Sequence, residues 1–224
     1  MIIKWIFLDL DDTILPDFAH YIWNEAFPRK IAEERRISIE NAKKLIYNSS
    51  VKGAKWKDKL SSKRTIEWYD FYYWLKRFKS KVRFDEIFEE GNRLLKISKE
   101  DLKFLKEIKK SFKVGLISNN FSYFVDKCLE RLEIKNYFDL IITPDKTGTV
   151  KPDKKVFQTA LKLAKVKPQE ILYVGDNPID DLGAKEVGFR VALLMGKRYK
   201  VKPLSEPDFK INELGELLNF KINM

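Results

Sequence analysis

Two groups of acidic residues could do chemistry in this 224-residue sequence. The first follows an apolar run, Ile2–Leu8, and reads Asp9-Leu10-Asp11-Asp12-Thr13. The second follows another apolar run and reads Gly175-Asp176, with Asp180 and Asp181 close behind. Carboxylates packed this closely repel one another unless a cation or a shared proton relieves them. Turn capping accounts for an isolated Asp or Thr after a strand, and for Asp180 or Asp181 at a helix start, but it accounts poorly for two clusters. Carboxylates and carbonyls with room left for water suit Mg²⁺. Two other apolar runs lead to donors and a cation. One ends Ser118-Asn119-Asn120, and Lys151-Pro152 lies between the other, Leu140–Thr143, and the second acidic group. A hydroxyl and an ammonium beside a carboxylate–metal pair could stabilise the charged oxygens of a phosphoryl group. Taken singly, Ser118 is a common strand-to-helix cap and Lys151 one lysine of many.

These residues must be brought together by the elements that carry them. Five short apolar runs, Ile2–Leu8, Val114–Ser118, Leu140–Thr143, Ile171–Val174 and Arg190–Leu194, lack strict alternation, as strands of a parallel sheet covered on both faces do. Helical patterns separate the later ones. Ser98 and Asp101 resemble a capping box for a helix through Lys110. Val125, Leu129 and Leu132 form a stripe. Pro152 suits a first helical turn, followed by Phe157, Leu161 and Ala164. Asp180 to Val187 reads as a helix capped by Gly188. The alternation predicts an α/β fold with a Rossmann-like, doubly wound parallel sheet, whose ligands bind beyond the carboxyl ends of its strands.

The interval 17–96 breaks that rhythm and is too long for a loop in a compact domain. It has helical stripes (Ile39, Ala42, Leu45, Ile46; then Trp68, Phe71, Tyr72, Leu75) and no convincing strand. We read it as an inserted all-helical domain, with 1–16 and 97–224 forming the α/β core. Between Val51 and Arg83, eleven Lys/Arg are interleaved with Trp56, Trp68, Tyr69, Phe71, Tyr72, Tyr73, Trp74 and Phe78. Such interleaving can bind single-stranded nucleic acid. Helical spacing favours packing with a solvated basic face, and lining of a specificity pocket is the next reading.

Composition narrows the class. The 44 Lys+Arg against 33 Asp+Glu give a net charge of +11, compatible with anionic partners of several kinds. A single Cys, Cys128, excludes an intrachain disulfide, and a single His, His20, excludes paired-His metal sites. Cys128 reads as a buried filler, and His20 is not expected to be catalytic. No apolar run approaches the roughly 18 residues needed to cross a bilayer. The early aspartates leave no room for a signal peptide, so a cytoplasmic protein is expected. The 34% charged residues, with Gln only at 158 and 169, show a thermophile tendency. An AT-rich genome would also enrich Lys and Ile.

Taken together, the strand followed by Asp9-x-Asp11-x-Thr13, then Ser118, Lys151-Pro152 and Gly175-Asp176-x₄-Asp181, resemble the ordered motifs of the haloacid dehalogenase (HAD) superfamily. The resemblance covers 1–16 and 98–194. The insertion is similar in position and helical character to a C1-type cap. The resemblance implies a hydrolase in which Asp9 is the nucleophile and forms an aspartyl-phosphate. Asp11 would protonate the leaving oxygen and then deprotonate water. Asp9, the Asp11 backbone carbonyl and Asp176 would hold Mg²⁺, with Asp181 positioning its waters and Thr13 steadying the loop. Ser118 and the Asn119 amide would bind phosphoryl oxygens, and Lys151 would neutralise charge at both nucleophile and substrate. Dehalogenases of the superfamily lack the second Asp, so Asp11 favours a phosphatase acting on a small phosphorylated metabolite. Asn120 stands where many relatives have Gly, and Asp180 could exchange roles with Asp181. A non-catalytic phosphoacceptor would use similar groups, but a lid-like insertion serves to exclude water around a small substrate.

Overall fold

The computed structural model describes residues 2–51, 65–196 and 205–219. It divides into two compact units, Met1–Pro16 with Ile97–Met224, and Asp17–Lys96.

Six strands form the sheet of the first unit: β1 (Trp5–Leu8), β2 (Lys113–Ile117), β3 (Leu140–Ile142), β4 (Ile171–Gly175), β5 (Arg190–Leu194) and β6 (Phe209–Ile211). Their order is β3-β2-β1-β4-β5-β6, and every pairing is parallel. The expected strands are present, although β1 starts at Trp5 rather than Ile2. The sixth, β6, has only three residues at the sheet edge, too few to stand out as an apolar run. In register, Leu8 of β1 faces Leu116 of β2 and Val174 of β4. The residues that follow these strands therefore emerge side by side, where the strand order reverses between β1 and β4. In open α/β sheets that crevice is the usual ligand site.

Among the described residues the second unit holds helices and no strand. It contains α1 (Phe18–Tyr21), a π-helical stretch Ile22–Ala26 running into α2 (Phe27–Arg35), α3 (Ile39–Val51), a 3₁₀ turn Ile66–Tyr69, α4 (Phe71–Arg77) and α5 (Phe84–Glu90). Its core is aromatic. Phe27 meets Phe71 edge-on at 5.6 Å, and Trp23 stacks on Phe71 at 3.7 Å. The expected stripe over 68–75 is not one helix. Asp70 interrupts it by capping α4, accepting from the Tyr72 N–H at 2.9 Å. The rotation this imposes buries Phe71, Trp74, Leu75 and Phe78 and leaves Tyr72 exposed. Phe71, Trp74 and Phe78 are thus packed, whereas Trp68, Tyr69 and Tyr73 are half-buried; Trp56 lies outside the described residues. The stripe expected from Ile39 to Ile46 does fall on one helix, α3, although of its residues only Ala42 is buried.

Among the described residues the first unit also contains four α-helices: α6 (Lys99–Ser111), α7 (Ser122–Arg131), α8 (Pro144–Thr147) and α9 (Lys154–Ala164). Alternation along the strands sends Phe7, Ile171, Tyr173 and Val191 to one face, where Val156, Phe157, Ala160 and Ala164 of α9 cover them. Ile6, Leu8, Leu116, Leu172 and Val174 are buried on the other. Gly115 leaves room for Phe7, whose ring would lie 2.2 Å from a Cβ at that position. Ser98 caps α6 as expected, accepting from the Asp101 N–H at 2.9 Å. Two expectations need correction. Pro152 precedes α9 rather than opening it, because Asp153 caps the helix by accepting from the Lys155 N–H. Leu182–Val187 is 3₁₀ rather than a helix from Asp180, though Gly188 does cap it at φ 88°.

Candidate active site

The site grows from four loops at the carboxyl edge of the sheet. The Asp9 N–H donates to the Val174 carbonyl at 2.8 Å, so β1 hands its next residue to β4 as the strand ends. The chain then turns tightly. Ile14 and Leu15 N–H donate to the Leu10 carbonyl at 2.9 Å, with Asp12 left-handed at φ 56°. Asp is among the few residues that accept this conformation readily. Thr13 reaches across to β4, its hydroxyl 3.5 Å from Asp176 Oδ1.

Asp9, Asp176 and Asp181 are buried, and each offers a carboxylate oxygen within 4.8 Å of the others. Lys151, 2% exposed, is the cation that faces them. Its ammonium lies 2.8 Å from Asp9 Oδ1 and 2.7 Å from Asp181 Oδ1. Burial would strip the Lys151 proton, but the Asp181 and Asp9 charges hold its pKa well above the ordinary lysine value. One ammonium does not balance three carboxylates. Burial pushes Asp176 up to about 9, with Asp181, Asp9 and Asp12 adding to the effect. Burial also raises Asp9 well above the usual carboxylate range, with Asp181 and Asp11 adding, although Lys151 opposes it. A hard divalent cation relieves this excess, and the donors are all oxygens, so the residues fit Mg²⁺.

Asp180 and Asp181, adjacent in sequence, do different things. Asp181 is wholly buried. Its Oδ1 accepts from Lys151 and from the Tyr173 hydroxyl at 2.8 Å, and its Oδ2 accepts from the Asn177 N–H at 2.8 Å. It sits where a Cβ on residue 175 would be, 2.1 Å from Oδ2, which is why Gly175 precedes Asp176. Asp180 turns the other way and accepts from Asn119 Nδ2 at 3.3 Å.

The loop after β2 carries the rest. Ser118 N–H extends the ladder to the Ile142 carbonyl at 3.1 Å, and Ser118 Oγ accepts from the Asn120 N–H. The Asn119 side chain clamps the backbone of Lys151, accepting its N–H at 2.7 Å and donating to its carbonyl at 3.3 Å. Asn120, the departure from many relatives, donates to Asp11 Oδ2 at 2.5 Å and so ties the β2 loop to the first acidic loop. Sequence reasoning missed Tyr173 entirely. It reads as one more apolar strand residue, and only its inward place in β4 beside Lys151 reveals the hydroxyl's use. His20 is exposed and Cys128 is buried in α7.

Residues 6–194 match the family model of the haloacid dehalogenase-like hydrolases. The chain belongs to this family. Pyrophosphatase PpaX of Bacillus cereus is 33% identical over 125 residues, 54% of this chain. That match spans 57% of the relative's length, little more than half. A HAD phosphatase from Thermococcus onnurineus superposes with a TM-score of 0.76 over 97% of both chains, at 23% identity. A 2-haloacid dehalogenase from Pseudomonas syringae pv. Tomato DC3000 superposes at 0.66 over 97% of both, at 25% identity. Phosphatases and dehalogenases of the family thus share this fold, and the chain is a HAD-type hydrolase. Among the described residues, no helix is long and apolar enough to cross a membrane.

Proposed function

We propose that this hydrolase is a Mg²⁺-dependent phosphatase that cleaves small phosphomonoesters through an aspartyl-phosphate on Asp9. The observation that carries the reading is the buried group Asp9, Asp176 and Asp181 facing the Lys151 ammonium, with Asp11 tethered two residues from Asp9. An Asp9 oxygen attacks phosphorus as the bond to the leaving oxygen breaks, and Asp11 gives that oxygen its proton. Water then attacks the phosphoenzyme, Asp11 takes the water's proton, and phosphate leaves Asp9 free. Asp9, Asp176 and the Asp11 carbonyl would hold the metal, which when bound neutralises charge on the transferring phosphoryl group. The oxygens of Asp181 are engaged by Lys151, Tyr173 and Asn177, which suits a role in orienting rather than ligating. Lys151 lets the Asp9 anion approach a phosphate anion. Ser118 and the Asn119 backbone amide would receive phosphoryl oxygens, since the Asn119 side chain is engaged with Lys151. The family resemblance assigns substrate selection to the helical insertion.

The name of the PpaX relatives supports phosphoryl transfer to water and adds pyrophosphate to the candidate substrates. Dehalogenation is the second reading, and Asp11 counts against it, because a leaving halide needs no proton. The test is release of phosphate from p-nitrophenyl phosphate, pyrophosphate and a panel of metabolite phosphates, beside release of chloride from 2-chloropropionate. Phosphate release that stops on chelation supports the reading, and chloride release alone overturns it. A small phosphorylated metabolite and a cytoplasmic setting are the corresponding proposals for partner and location. Nucleic acid is not among the proposed partners.

A further inference from the structure

Lys151 is held by more than its two carboxylates. An ammonium has three N–H bonds to give. Those of Lys151 go to Asp9 Oδ1 at 2.8 Å, Asp181 Oδ1 at 2.7 Å and the Tyr173 hydroxyl at 2.9 Å. Tyr173 in turn donates its proton to Asp181 Oδ1 at 2.8 Å, closing a three-membered ring of hydrogen bonds among Lys151, Tyr173 and Asp181. A four-carbon side chain swings freely unless its head group is fixed on several sides. Two carboxylates on the ammonium leave one N–H undirected, and Tyr173 takes it. The phenol is itself immovable. It lies within β4, fully buried, with Phe157 edge-on to its ring at 5.5 Å. We infer that Tyr173 is a positioning residue, which aims the Lys151 ammonium at Asp9 and fixes Asp181 through one hydroxyl. The inference rests on the phosphatase reading, in which the charge of Lys151 must stand beside the nucleophile as the phosphoryl group transfers. Nothing of the kind is required of an apolar β4 residue, and a Phe would fill the same space.

The experiment compares the wild-type enzyme with Tyr173→Phe, which keeps the ring and deletes the hydroxyl. The readouts are kcat, KM, the thermal midpoint, and the inhibition constants of orthovanadate and inorganic phosphate. Inhibition constants do not depend on the folded fraction of the preparation. A mispositioned ammonium costs most where charge is transferring, so kcat falls about tenfold while KM stays within about twofold. The vanadate constant rises about tenfold and the phosphate constant changes far less. Tyr173→Leu, if the Phe variant does not fold, shows the same ratio of the two constants. An unchanged vanadate constant overturns the inference, whatever happens to kcat. So does an equal weakening of vanadate and phosphate. Absence of phosphatase activity in the wild type is a different result, and it removes the proposed function instead.

Discussion

Asp9 and Lys151, both buried, face each other at 2.8 Å, so the effect of changing either follows from charge and geometry. On the proposed mechanism Asp9→Asn removes the nucleophilic oxygen, and it is expected to abolish phosphate release with the circular dichroism spectrum unchanged. Lys151→Arg keeps the positive charge but not the point-like geometry, whereas Lys151→Met leaves Asp9 and Asp181 without their cation. Steady-state assays should therefore rank wild type above Lys151→Arg and Lys151→Arg above Lys151→Met; equal activity in the two variants would remove the charge argument. Asn119→Ala leaves the buried N–H of Lys151 without its acceptor and is expected to lower stability by about 2 kcal/mol in urea unfolding. At this scale the sequence was informative where side-chain type alone limits the options. Asp9, Asp11 and Asp176 stood out because clustered carboxylates have few reasons to follow buried strands, whereas Lys151, one lysine of many, stood out only through the family resemblance, and the structure places its ammonium beside Asp9. Tyr173 did not stand out, because its hydroxyl acquires a purpose only from Lys151, 22 residues away. The Asn119 side chain, a backbone clamp 32 residues distant, was hidden for the same reason.

The elements hold these groups in register by means that can be tested away from the chemistry. Asp139 stands immediately before β3. It accepts from the Val114 N–H of β2 at 2.9 Å and pairs with Lys109 of α6 at 2.6 Å and Lys113 of β2 at 3.1 Å. Burial would raise its pKa, but these partners bring it from 3.8 down to about 2. A carboxyl whose folded value lies below its unfolded value contributes stability above the unfolded value, and that contribution fades as pH falls toward the folded one. Asp139 and its lysines are exposed enough for solvent to screen them, so the contribution at neutral pH is about 1 kcal/mol at most, lost between roughly pH 4 and pH 2. Urea midpoints across that range should converge for wild type and Asp139→Asn, and a gap that persists at pH 2 would contradict the assignment. Strands and helices were legible from apolar runs and caps such as Ser98, because both signals are local. The break at Asp70 was less so. Trp68, Phe71, Tyr72 and Leu75 fit a helical period by spacing, and a side-chain cap in mid-stripe overrode it. β6 was lost because a three-residue edge strand carries almost no pattern.

For the whole molecule, the central consequence is a buried excess of negative charge at the crevice of a parallel sheet, drawn from loops that are distant in sequence. A cation that binds there only in the folded state must stabilise the fold. At a hundredfold excess over its dissociation constant the gain is about 2.7 kcal/mol. Mg²⁺ should therefore raise the thermal midpoint of the wild type and leave that of Asp176→Asn unchanged, which differential scanning calorimetry would show. The interval 17–96 stands apart in the sequence because it is too long for a loop and too helical for the sheet. The most direct measurement of the central claim is phosphate release from p-nitrophenyl phosphate by the full chain, first with Mg²⁺, then with excess chelator, then with Mg²⁺ restored. The account predicts turnover, its loss and its return. Turnover undiminished by the chelator, or none under any condition while chloride is freed from 2-chloropropionate, would contradict it.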